Sequence, residues 1–200
     1  MESLLTEPSD KRRRRTRAAL LNAARTLFAR PQGYRGTSVD ELASAADVAL
    51  TSIYSNFPGG KADVYAVLAC VVGHEHVDAM AAAVRDAPPG AAAAEAAFEE
   101  YLDFHGREPL AFRLLGLTDV HGEDSDVVRA ARAEVRGCLA RALGVVIDAV
   151  GEPADAARAE VIQCWAGING LLALAARGLI EQAEADRLIG EVRARGAARL

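Results

Sequence analysis

Between Thr37 and Lys61 the sequence TSVDELASAADVALTSIYSNFPGGK spells two short helices, a turn between them and a stop after them. Thr37 and Ser38 offer N-cap hydroxyls, while Asp40 and Glu41 put negative charge in the first turn. Val39, Leu42, Ala43 and Ala46 recur at helical spacing and form one buried face. Asp47 stands where the chain must turn, and Asp tolerates left-handed backbone better than most residues other than glycine. Val48, Ile53 and Phe57 anchor the second helix. Its other face carries Leu50, Thr51, Ser52, Tyr54, Ser55 and Asn56. Short polar side chains let a helix backbone approach base edges while hydroxyls and amides reach phosphate oxygens. Pro58-Gly59-Gly60 ends the helix. Chance alone places capped helix pairs in alanine-rich helical chains. The ordered set of cap, anchors, polar face and stop goes further and fits a unit that enters the DNA major groove.

The net charge of −5 over 200 residues argues against a nucleic-acid partner only if charge is spread evenly. It is not. Residues 11–61 hold ten basic side chains against three acidic ones, a net of +7 that leaves −12 for the remainder. A basic head on an acidic body confines the attraction for a polyanion to one end. Lys11-Arg12-Arg13-Arg14-Arg15 is its densest run. Residues 1–15 are expected to form a disordered arm, with Arg12, Arg13, Arg14 and Arg15 tracking phosphates or entering a minor groove. The plainer reading is a solubilising tail. Residues 16–61 then form the DNA-binding domain, and 62–200 a helical body.

That body predicts helices over about 62–84, 92–105, 110–115, 124–150, 154–177 and 181–198, punctuated by Pro88-Pro89-Gly90, Gly106, His121-Gly122, Gly151-Glu152-Pro153 and Gly178. No strand-type alternation interrupts them, so the fold class is all-α. Cys70, Cys138 and Cys164 are odd in number and widely spaced, which suggests buried thiols in a reducing cytoplasm rather than a disulfide framework or zinc site. No stretch has the length and purity expected of a membrane span or signal peptide. His74 and His76 are two apart on one helix and so point to different faces, which excludes joint chelation. There is no HExxH frame, phosphate loop or nucleophile elbow, so neither an enzyme nor a bound cofactor or metal is expected. Gly167 and Gly170, inside the almost wholly apolar run from Cys164 to Leu174, predict a close helix–helix approach.

The segment from Ala18 to Leu68 resembles the DNA-binding domain of the TetR family of bacterial transcriptional regulators. The matching pieces are Ala23-Ala24-Arg25-Thr26-Leu27-Phe28-Ala29 with Gly33-Tyr34, the Thr37–Ala43 run, Ala46-Asp47-Val48, Ile53-Tyr54-Ser55-Asn56-Phe57 and Lys61. It departs from the family pattern at Asp47, Ala49, Leu50-Thr51 and Asn56, and in the Phe57-to-Lys61 spacing. The resemblance implies an N-terminal three-helix helix-turn-helix domain and a C-terminal helical domain for ligand binding and dimerisation. Thr37, Tyr54, Asn56 and Lys61 would contact phosphates. Leu50, Thr51 and Ser52 would face bases, Leu50 packing on a thymine methyl. It also implies a homodimer with recognition helices about 34–36 Å apart on a double-stranded operator. A small-molecule effector would sit among Phe98, Tyr101, Phe104, His105, Phe112, Leu115, His121, Trp165 and Asn169. The function so implied is a repressor released from its operator by that ligand. The alternative is a ligand-independent DNA-binding or architectural protein without a working pocket.

Overall fold

A computed structural model describes residues 8–151, 154–197 and 199. Among the described residues all regular structure is helical: α1 (Lys11–Phe28), α2 (Gly33–Gly36), α3 (Val39–Ala45), α4 (Leu50–Asn56), α5 (Lys61–Asp86), α6 (Ala91–Arg107), α7 (Ala111–Gly116), α8 (Asp126–Val150), α9 (Ala154–Ala176) and α10 (Gln182–Ala197). Two compact units emerge. The first takes residues up to Glu75 with Glu108–Cys138, and the second takes His76–Arg107 with Leu139 onward. A division drawn along the chain at residue 61 therefore does not coincide with packing, because the start of α5, α7 and the start of α8 associate with the N-terminal helices.

The expected disordered arm is corrected from Lys11 onward; residues 1–7 lie outside the described part. Asp10 caps α1, its carboxylate accepting the Arg13 N–H at 2.7 Å, and the Arg run forms the first turns of the helix. Arginine is a good helix former, so one N-cap is enough to start the helix here. The cap of α3 is Ser38, in a reciprocal box: its Oγ accepts from Glu41 N at 3.1 Å, and the Glu41 carboxylate accepts from Ser38 N at 2.8 Å. Asp47 adopts φ of +53° at the turn into α4, as expected of that position.

Behind α3 and α4 the first unit is held by an aromatic and polar hub. Phe28, Tyr34 and Tyr65 pack ring against ring, with centroids 5.1 to 5.8 Å apart. The Tyr65 hydroxyl donates to Asp119 at 2.9 Å, and Asp119 also accepts from Arg113 Nε and Nη2 at 3.0 and 2.9 Å. Buried Asp63 accepts from Gly59 N at 2.7 Å and from the Ser125 hydroxyl at 2.6 Å. These charge-assisted bonds fix the end of α4 to the start of α5.

In the second unit Met80, Phe98, Tyr101, Val146, Val161, Cys164, Ile168 and Ile189 form the core, and α10 packs along α9 and against α6. Gly167 lets α10 come close: a Cβ there would stand 3.2 Å from Val192. Gly170 faces open space, so the close approach expected of both glycines belongs to Gly167 alone. All three cysteines are buried, and none forms a disulfide among the described residues. Contrary to expectation, α5 and α9 are both long and apolar enough to cross a bilayer by length and composition. In α5 that apolarity is spent inside the fold, where Val64 to Cys70 are all buried.

Candidate nucleic-acid interface

The exposed face of α4 consists of Leu50, 41% accessible, Tyr54, 50% accessible, Thr51 and Ser55, with Ser52 half-buried beside them. Ile53 and Phe57 are fully buried underneath, so the helix has no freedom to roll this face inward. Leu50 and Tyr54 stand one helical turn apart on this face.

The basic residues of α1 are arranged around this helix. Arg13 donates from Nη2 to the Ser55 carbonyl at 3.3 Å and from Nε to Asn56 Oδ1 at 3.4 Å, docking the start of α1 onto the end of α4. Arg17 is buried, with its guanidinium 5.2 Å from the centroid of the Phe57 ring. Arg12 and Arg15 are exposed, and Arg14 caps the Pro8 and Ser9 carbonyls at 3.1 and 2.7 Å. This leaves positive charge next to the α4 surface on a rigid helix instead of a loose tail.

Three residues assigned to phosphate contact are committed elsewhere. Thr37 is 5% accessible and its hydroxyl donates to the Gly33 carbonyl at 2.8 Å. Asn56 is 5% accessible and its amide donates to the Ser52 carbonyl at 2.8 Å. Lys61 lies over the Tyr34 ring at 4.4 Å and donates to the Tyr34 and Thr37 carbonyls at 2.8 and 2.7 Å. Partial burial lowers its pKa. All three close the turns that carry α3 and α4. A small polar residue followed by a hydrophobic run does not reveal which way its hydroxyl or amide points, and the carbonyls they meet come from α2 and the turn after it or, for Asn56, from within α4 itself.

The residues expected to line a ligand site divide between the units. Phe112, Leu115 and His121 belong to the first unit, where α7 and its loop are tied by Arg113 and Asp119, and His121 is exposed. Phe98, Tyr101, Phe104, His105, Trp165 and Asn169 belong to the second. There Tyr101, Phe104, His105 and Trp165 gather around a residue absent from the expected set. His76 is fully buried, with ring centroids of Phe104, Tyr101, His105 and Trp165 at 4.9, 5.5, 6.1 and 6.4 Å. Neither of its ring nitrogens has a hydrogen-bond partner among the described residues. Burial, and then the neighbouring His105, push its pKa down to about 4, so the ring is neutral and offers one donor and one acceptor. Beside it the Tyr101 hydroxyl donates to Asn169 Oδ1 at 2.5 Å. The signal for His76 was present in the sequence: Val72, His76 and Met80 share one helical face, and all three are fully buried.

Residues 20–68 match the family model described as bacterial regulatory proteins, tetR family. Along nearly its whole length the chain is similar in fold to solved structures. A putative TetR-family transcriptional regulator from Mesorhizobium loti is 14% identical, with 94% of this chain and 98% of that one covered and a TM-score of 0.68. A tetR-family transcriptional regulator from Streptomyces coelicolor is 22% identical, with coverage of 96% and 91% and a TM-score of 0.62. The fatty acid degradation regulator FadR from Bacillus halodurans is 15% identical, with coverage of 92% and 98% and a TM-score of 0.66. No curated protein matches the chain.

Proposed function

We propose that this chain, which belongs through its helix-turn-helix segment to the TetR family of bacterial regulatory proteins, represses transcription as a ligand-released homodimer. The observation that carries the reading is the α4 surface: Leu50, Thr51 and Tyr54 exposed on a helix clamped from beneath by Ile53 and Phe57 and joined through Arg13 to α1, on which Arg12 and Arg15 are exposed. Two such helices, one per protomer, set about one duplex turn apart would read a two-fold operator in the cytoplasm. Support for the dimer comes from α9 and the turn after it, where Ile162, Leu174 and Leu179 are exposed apolar side chains. A second subunit that covered them would remove these side chains from water.

The ligand reading rests on the second unit. An aromatic cluster with an unsatisfied imidazole at its centre suits a small molecule that is mostly apolar or aromatic and carries one hydrogen-bonding end. FadR of Bacillus halodurans is a regulator of fatty acid degradation, and an acyl chain with a polar head falls within that class. Such a ligand acts by differential affinity for the DNA-bound and released states, and couplings of about 1–3 kcal/mol correspond to roughly 5- to 150-fold in operator affinity.

Selection of genomic fragments by the purified protein tests the whole reading. Recovery of fragments sharing a two-fold sequence, released by an acyl or aromatic metabolite, supports it. Failure to retain any duplex at low ionic strength overturns the DNA function, and retention that no metabolite relieves overturns the ligand switch.

A further inference from the structure

We propose a transition-metal site of the zinc class in the first unit, made by His74 on α5 and by Glu134 and Cys138 on α8. One ligand atom from each of these side chains lies within 4.8 Å of those from the other two. His74 Nε2 stands 3.1 Å from Glu134 Oε1, and the Cys138 sulfur is 4.0 Å from that same oxygen. The sulfur is also 3.9 Å from the other nitrogen of the imidazole. A zinc ion bound at about 2.0–2.3 Å to nitrogen, oxygen and sulfur sets tetrahedral edges of roughly 3.3–3.6 Å between its ligands. With a single ring nitrogen as ligand the three atoms stand within 4.8 Å of one another, and side-chain rotation has to close that spread onto one ion.

The placement follows from helix geometry. Glu134 and Cys138 are four residues apart on α8, so both project from one face toward α5. Gly73 lets the backbones draw together there: a Cβ at that position would sit 3.3 Å from the Cys138 sulfur. A bare His–Glu ion pair needs neither the thiol nor the glycine. Burial is graded across the site, with Cys138 buried, Glu134 half-buried and His74 exposed, which gives an ion a protected soft ligand and an entry path from solvent. One thiolate, one imidazole and one carboxylate form a borderline-soft set that suits Zn²⁺, Co²⁺ or Ni²⁺. Mg²⁺ and Ca²⁺ prefer all-oxygen shells. The fourth position remains open for water. Ligands on two helices far apart in sequence explain why no short motif announces the site. An ion there would staple α5 to α8 within the first unit and raise thermal stability with the logarithm of its free concentration above the dissociation constant.

The proposal holds whether or not the chain reads DNA, and its test is spectroscopic. Reduced, chelator-stripped full-length protein titrated with Co²⁺ should take up one ion per chain, develop a thiolate-to-cobalt charge-transfer band, and lose it on addition of Zn²⁺. Cys138→Ser should abolish that band. His74→Ala and Glu134→Gln should each weaken Co²⁺ binding by more than about tenfold, the low end of what loss of an outer-shell partner costs. Cys164→Ser, in the second unit, should leave spectrum and affinity unchanged. The wild-type chain remaining colourless, or His74→Ala binding Co²⁺ with unaltered affinity and spectrum, overturns the site. His74 lies on the surface, so that variant decides the question even if Cys138→Ser fails to fold.

Discussion

In the helix-turn-helix segment Ser38, Thr37, Asn56 and Lys61 all end on named partners, whereas in the second unit His76 is sealed from solvent with neither ring nitrogen bonded. On the proposed function the difference is one of purpose. A surface that must meet a fixed lattice of phosphates and bases gains from polar groups that brace the backbone, because movement would blur its register. A site that must respond to a molecule gains from polar groups left unmet, since only the ligand then recovers the cost of their burial. Charge follows the same division, with arginines lining α1 while the central imidazole of the second unit is held neutral.

Acid should separate the regions by the largest margin. Burial, and for His76 also the charge of His105, lowers both imidazoles from the ordinary 6.5 to about 4. Between those values the unfolded chain binds more protons than the folded one, so folding stability falls as pH drops through that window and is flat above it. Each imidazole contributes on the order of 3 kcal/mol across the window, less for the second because the rings titrate as a coupled pair. Denaturation of the second unit, followed by Trp165 fluorescence at stepped pH, reads this directly. Stability that does not change from pH 6.5 to 4 would break the contrast.

Replacing His76 sharpens it. His76→Leu keeps a similar volume and removes two unsatisfied buried nitrogens. It should stabilise the ligand-free protein by about 1–3 kcal/mol, flatten much of the acid limb and abolish the metabolite response. Calorimetry reads the first two effects. A destabilised variant would mean the imidazole is already satisfied without ligand.

The two regions were also unequally legible in sequence. The helix-turn-helix is local: Ser38 finds Glu41, and Val39, Leu42 and Ala43 share a face, all within one turn or two, so spacing alone exposes it. What escaped there was long-range. The bond from Arg13 to Asn56 spans 43 residues, and it turned an expected loose arm into a docked helix. In the body, helix existence was readable from period and breakers, but helix partners were not. Phe112, Leu115 and His121 looked equivalent to Phe98 and Tyr101 because an aromatic or apolar residue carries no label for the unit it will join. His74, Glu134 and Cys138 were invisible as a group for the same reason.

A smaller effect probes the rigidity of the reading head. Ser38→Ala removes half of the capping box and should cost about 1 kcal/mol of the first unit's stability. A change in denaturation midpoint confined to that unit is the expected readout. If operator affinity falls further than the lost stability explains, the cap also positions α4.

Tyr54→Ala should have almost no effect on folding and a clear one on function. Half of its surface is open to solvent, and the ring does not belong to the core beneath α4, so its removal leaves no cavity. Stability should stay within about 0.5 kcal/mol of the parent, as for most surface substitutions. Operator affinity should nonetheless drop by about tenfold, corresponding to roughly 1.4 kcal/mol of lost contact to the duplex. On the proposed function the exposed Tyr54 would be the mirror image of His76: one side chain dispensable to the fold and needed by the duplex, the other costly to the fold until a ligand meets it. A gel shift and a thermal melt on the same preparation decide it, and a melt that moves as far as the affinity would assign Tyr54 to the scaffold.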